Sequence, residues 1–418
     1  MAFLCIPRTI PICVRRPVAG LSSFVVGYQG RSYNRYPTHN YILQLSSQSR
    51  HRRILSFRRQ FNTSESQDVT LDKLRLMKRI FAFSLFTGTL VLAWSLKKRK
   101  GERLKELLED CQRLHIDEDL YKGKMSMYRY KGYVFPGKLI LSGVFKELPQ
   151  FEFRPDDILV ASYPKTGTTW VQEIVYMLTH NCNVTEDDSE TLETRFPYLE
   201  YPYPGIKHIT AKTGPRFIKT HLPLSLLPDS FASSGSKCVY VTRNPRDTAV
   251  SYFHFLRMVT EFNFLGTFKD FAKLFKTDAV PYSPFYNHVQ EYWEARKDPN
   301  ILFITYEDLQ NKPTDVIREI AEFLGLSVTE EDIRLVAYST SFNKMASNPS
   351  TNYEHWKDIG FIDKDRGAFM RKGKIGDWKN HFSDRDLIEF QDWENSNQNN
   401  LNFKFQFMEN KEAQMQES

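Results

Sequence analysis

Apolar positions run almost unbroken through residues 158–162, 237–242 and 301–306, the pattern of strands buried on both faces. Between them, stretches such as 171–179 and 314–324 repeat their apolar positions at helical spacing. The alternation predicts an α/β fold, a single domain with a central parallel sheet flanked by helices. Upstream the pattern changes. Residues 80–96 form a 17-residue uncharged run, bounded by Lys78 and Arg79 before it and by Lys97, Lys98, Arg99 and Lys100 after it. Basic flanks of this kind suit a membrane helix better than a core helix, and the heavier cluster downstream puts the large domain on the cytosolic side.

These breaks divide the chain into four expected parts. Residues 1–76 are a basic leader, 77–100 a transmembrane anchor, 101–124 a charged stalk and 125–410 the folded domain. Met77 also reads as a start codon, which would make the leader dispensable.

Charge refines this picture. The chain of 418 residues has a formal charge of +7, yet residues 1–64 hold ten arginines and no Lys, Asp or Glu. The rest carries 47 basic against 50 acidic residues, a balance that does not support a nucleic-acid face. An Arg- and Ser-rich, acid-free leader has the composition of a mitochondrial transit peptide, with a disordered basic tail as the alternative. Five scattered cysteines without CxxC or Cys/His spacing argue for reduced thiols, a cytoplasmic type of compartment and no metal site.

The chemistry begins where the first strand ends. Residues 158–175 read ILVASYPKTGTTWVQEIV, a buried strand, a loop with one Lys, one Gly and three Thr, then an amphipathic helix. Such a turn aims backbone N–H groups and the positive end of a helix at a tetrahedral oxyanion. A Walker ATP loop places its lysine after the second glycine; here Lys165 precedes the single Gly167, which weakens a nucleotide-kinase reading.

Three stretches together carry a resemblance. YPKTGTTW at 163–170, RNPRDTAVS at 243–251 and RKGKIGDWK at 371–379 match, in order, signature elements of the cytosolic sulfotransferase family. The resemblance spans residue 125 to the last part of the chain and leaves 1–124 outside it. It implies a P-loop-like site for 3′-phosphoadenosine 5′-phosphosulfate (PAPS; product PAP), formed by Lys165, Thr166, Gly167, Thr168, Thr169 and Trp170. Arg243 and Ser251 would grip the 3′-phosphate, and Arg371, Lys372 and Gly373 would complete the phosphate site. Tyr306 in FITYEDL and Thr340, Ser341 and Phe342 in STSFNKM match further cofactor contacts.

RFIKTHLPL supplies the implied catalytic group. Lys219 and His221 alternate at the end of a strand and so point to one side. The resemblance makes His221 the general base, Lys165 and Lys219 the stabilisers of developing charge, and Ser251 the partner that holds Lys165 until acceptor arrives. The implied reaction is in-line sulfuryl transfer to a hydroxyl or amine of a small aromatic or steroid-like acceptor, without a metal. Tyr198, Tyr201 and Phe255, with His254 beside them, match acceptor-pocket positions. The family's C-terminal dimer motif is degraded here, with Ser383, Asp384 and Ile388 in its places, which leaves a homodimer by that route open. The alternative from another class is a membrane-anchored, non-catalytic PAPS- or PAP-binding protein.

Overall fold

The computed structural model describes residues 64–122, 125–182, 190–398 and 401–407. The chain divides into two compact units, residues 1–88 and 89–418. Most of the expected leader lies outside the described residues. The apolar run lies in helix α1 (Ser64–Leu108), which continues through residue 100 without a break. Among the described residues it is the one helix long and apolar enough to cross a membrane, and its apolar window is uncovered.

A small antiparallel sheet precedes the main one: β1 (Cys111–Arg113), β2 (Met127–Tyr130) and β3 (Tyr133–Pro136), in that order. Lys131 and Gly132 both adopt positive φ in the two-residue turn between β2 and β3, the geometry whose twist matches a tight hairpin. The sequence pattern alone gave no sign of this sheet.

The main sheet has four parallel strands, β4 (Ile158–Ala161), β5 (Phe217–Thr220), β6 (Lys237–Thr242) and β7 (Ile301–Thr305), ordered β5-β4-β6-β7. Side chains alternate between two cores because strand periodicity is two. Leu159, Cys238 and Tyr240 enter one core, while Val160, Val239 and Val241 enter the other. Helix α2 (Thr168–Thr179) covers the second core with Val171, Ile174 and Val175. After β6 comes α3 (Pro245–Met258), started by the Asn244 side chain, which accepts the Asp247 N–H at 2.8 Å.

This strand order positions the site. From β4 the chain moves to β5 on one side and then to β6 on β4's other side. The loops leaving β4 and β6 therefore diverge at their C-terminal ends, where open α/β sheets form their binding crevice.

Candidate active site

The loop after β4 folds as it does because two of its residues lie in the left-handed region, Lys165 at φ 72° and Gly167 at φ 116°. Gly167 is also a steric requirement, since a Cβ there would lie 2.9 Å from the Tyr306 ring. Thr166 does not open to the cavity. Its hydroxyl is buried and donates to the carbonyls of Tyr163 (2.7 Å) and Val241 (3.0 Å), pinning the loop to β6. Lys165, Gly167, Thr168, Thr169 and Trp170 do line the cavity.

Two further segments close around that loop. Arg243, at the end of β6, is buried; it donates to the Lys374 carbonyl at 2.7 Å and stacks 4.3 Å from the Tyr306 ring centre. Its Nε is buried with no hydrogen-bond partner among the described residues. Asp247 on α3 accepts the backbone N–H groups of Gly376 (2.8 Å) and Trp378 (3.1 Å), which fastens the 371–378 segment to the helix. Arg371 and Lys372 both donate to Asp377 at 2.6 Å, and their charges hold its carboxyl below the usual range although burial opposes this. At Gly373, with φ 63°, any Cβ would strike the Phe342 ring. Trp170 packs edge-on to Tyr306 at 5.6 Å and donates to Thr340 at 3.3 Å, and Ser341 and Phe342 continue the same wall.

The reactive groups meet at the end of β5. Lys219 and His221 both line the cavity, as strand alternation requires. His221 Nδ1 lies 2.7 Å from the Ser162 carbonyl oxygen. A carbonyl only accepts, so Nδ1 carries the proton and Nε2 keeps its lone pair. Burial, then the nearby Lys219, hold the imidazole well below its ordinary pKa, against the pull of the Ser162 carbonyl. Behind it, Glu200 accepts the His221 N–H at 2.7 Å and the Thr220 hydroxyl at 2.8 Å. Burial pushes the Glu200 carboxyl up to about 7 despite those two donors.

Two lysines share the centre. Burial, followed by the charges of Lys219, Arg371 and Arg243, lowers Lys165 to about 7. Burial also lowers Lys219 to about 8, with Glu193 and Glu200 pulling the other way. The Lys165 amine rests between two rings, 4.6 Å from Phe255 and 4.0 Å from Phe369. Ser251 lines the cavity, but no hydrogen bond joins it to Lys165.

The cavity encloses about 1100 Å³. Tyr198, Tyr201 and Phe255 form part of its wall. Tyr198 lies 5.2 Å from the His221 ring, with its hydroxyl 3.2 Å from that of Tyr282. His254 is not in the wall; it packs against His381 at 5.2 Å. Sequence reasoning missed Tyr282, Trp356, Phe369 and Glu193, all of which line the cavity, and Glu200 behind it. The one available signal was for Phe369, which stands two residues before the recognised basic glycine segment.

Residues 155–402 match the family model for the sulfotransferase domain. The chain is 38% identical to sulfotransferase 1E1 of Bos taurus over 243 residues, 57% of this chain and 82% of the relative. It is 40% identical to sulfotransferase 1E1 of Homo sapiens over 237 residues, 56% of this chain and 80% of the relative. Among solved structures, retinol dehydratase in complex with androsterone and PAP aligns with a TM-score of 0.62 at 29% identity, covering 73% of this chain and 96% of that one. A mouse sulfotransferase complexed with PAP aligns with a TM-score of 0.54 at 28% identity, covering 66% and 94%. With its loop, its basic segments and its paired Lys219 and His221 in one cavity, the chain belongs to the sulfotransferase family.

Proposed function

We propose that this PAPS-dependent sulfotransferase uses His221 as general base and acts on a hydroxyl, or an amine, of a small aromatic or steroid-like acceptor. The observation that carries this reading is the Nδ1 contact of His221 with the Ser162 carbonyl, which leaves Nε2 a neutral base in the same cavity as Lys165, Lys219 and Arg243.

The residues present fit PAPS. The buried, unpartnered Nε of Arg243 offers a donor to a phosphate, and among the described residues the cavity lining holds seven Lys and Arg side chains against a single carboxylate. Gly167 and Gly373 sit where a side chain would meet Tyr306 and Phe342, the rings of the nucleotide wall. Lys165, the N–H groups at the start of α2, Arg243, Arg371 and Lys372 would hold the phosphates, and Trp170, Tyr306 and Phe342 the base. When bound, PAPS supplies an activated sulfuryl group and a stable leaving anion.

The protein's own groups divide the remaining work. His221 Nε2 takes the acceptor proton, and the Ser162 carbonyl steadies the imidazolium through Nδ1–H. Glu200 fixes the backbone that carries the ring. Lys165 and Lys219 place positive charge where negative charge grows, in a water-poor space where it acts most strongly. The aromatic wall excludes water and orients a flat or fused-ring acceptor. Complexes of retinol dehydratase with androsterone and with retinol support an acceptor of that lipophilic class.

The test is incubation of the protein with sulfur-35-labelled PAPS and a panel of phenols, steroids, alcohols and aryl amines. Labelled product that disappears in His221→Ala supports the reading. Tight PAP binding with no labelling anywhere would favour a non-catalytic binding protein.

We also read α1 as a membrane anchor facing the cytosol, because an uncovered apolar run lies between clusters of Lys and Arg. Release of the protein from pelleted membranes by alkaline carbonate would end that reading.

A further inference from the structure

Glu193 is the one carboxylate among the described residues that line the cavity. It stands in a one-turn helix, Leu192–Arg195, tied by the Leu192 N–H to the Ser350 carbonyl at 2.9 Å. Both its oxygens are held from the segment that follows. His355 Nε2 lies 2.8 Å from Oε2, and Trp356 Nε1–H donates to Oε1 at 2.9 Å. The indole N–H of Trp356 fixes the carboxylate without adding a charge, and the His355 contact is an ion pair only when the imidazole is protonated.

A carboxylate in an aromatic pocket loses hydration, so a cavity that needed only apolar contact would gain nothing from one. Glu193 has instead kept about two-fifths of its side-chain surface open, with two hydrogen bonds made and lone pairs to spare. Its charge reaches the reaction centre, since it is the first group that opposes the effect of burial on Lys219. It also stands beside aromatic faces suited to a cation: Trp356, which it accepts from, packs on Tyr353 at 4.4 Å and on Phe361 at 4.7 Å. The remaining charged groups of the lining are cations, most of them in the donor half, where a bound polyanion would neutralise them.

Resting on the transferase reading above, we propose that Glu193, held by His355 and Trp356, is an ammonium subsite, selecting phenolic acceptors that carry a protonated amine. The phenol oxygen would lie at His221 while the amine pairs with the carboxylate and stacks on the neighbouring rings. A staple that merely joined residues 191–195 to 353–361 would need the hydrogen bonds of Glu193 and not its charge. Glutamine keeps an acceptor for Trp356 and removes the charge, so Glu193→Gln separates the two.

The experiment compares tyramine with 4-ethylphenol, which share a ring and differ in the amine, using the full chain and labelled PAPS. The kcat/KM ratio of tyramine to 4-ethylphenol is expected to be roughly five- to tenfold and to fall to about one in Glu193→Gln. Glu193→Asp is expected to recover part of the ratio, because it restores charge. A ratio that Glu193→Gln leaves unchanged overturns the proposal, as does a wild-type ratio near one. Tyramine binding with PAP present is followed in parallel through tryptophan fluorescence. Binding that Glu193→Gln abolishes, with no labelled product from either phenol, would keep the subsite and sink the transferase reading. Labelled product from both phenols with tyramine binding untouched by the substitution would do the reverse.

Discussion

The two halves of the cavity are built in different ways. In the proposed donor half, the phosphate side is made of three short continuous segments whose backbone does much of the work: a loop bent by Lys165 and Gly167, the turn at Arg243 and the 371–378 segment fastened to Asp247. The acceptor half is assembled from single side chains brought from distant parts of the chain, such as Tyr198, Tyr282, Phe255 and Trp356. A site made of backbone fixes one ligand shape, because changing it means refolding a loop. A site made of side chains can be retuned one residue at a time.

The sharpest way to break this division is a crossed pair of variants. His221→Ala is expected to lower kcat by about 10²–10⁴-fold with little change in PAP affinity. Arg243→Ala is expected to weaken PAP by roughly 10–100-fold, since it removes charge-assisted hydrogen bonds to a phosphate. Calorimetric titration of PAP beside steady-state rates reads both, and two variants with one shared phenotype would erase the boundary between the halves.

A smaller effect concerns pH in the donor half. Burial and neighbouring cations lower Lys165 to about 7 in the free protein, so it loses its proton as pH rises through neutrality. An anion favours the protonated amine. PAP affinity should therefore be greatest below pH 7 and fall above it, by up to about tenfold per pH unit, with a proton taken up on binding at pH 8. Titrations at pH 6 and 8, in buffers of differing ionisation enthalpy, measure both quantities. Affinity and proton uptake that ignore pH would remove Lys165 from the phosphate site.

The smallest effect lies in the acceptor half. Tyr198→Phe loses the 3.2 Å hydroxyl contact with Tyr282, worth about 1 kcal/mol, and should change acceptor KM several-fold while PAP affinity holds. A variant that altered PAP binding instead would show that the wall reaches into the donor half.

The same contrast explains what was legible in the sequence. Three of the four parallel strands were visible as nearly unbroken apolar runs, β5 being alternately buried instead, and the donor loop was visible because its lysine, glycine and threonines are contiguous. Lys219 and His221 were readable as a pair because strand alternation needs only neighbouring residues. Glu193 and His355 stand 162 residues apart, and nothing local to either announces the other. Glu200 looked like any acidic residue until the fold laid it against the end of β5. The cage around Lys165 was hidden likewise, since Phe255 and Phe369 meet only through tertiary packing. The anchoring of Thr166 was equally hidden, since its hydroxyl secures the loop to Val241 across the sheet.

The clasp between Asp247 and the Gly376 and Trp378 amides has a consequence for synthesis. The first donor segment leaves the ribosome about two hundred residues before the last. At about 5–20 residues per second, the loop around Lys165 waits on the order of 10–40 s for Arg371 and Lys372 to arrive. On the donor site proposed above, a chain cut short before residue 371 lacks Arg371 and Lys372, and partial products of translation should bind PAP poorly.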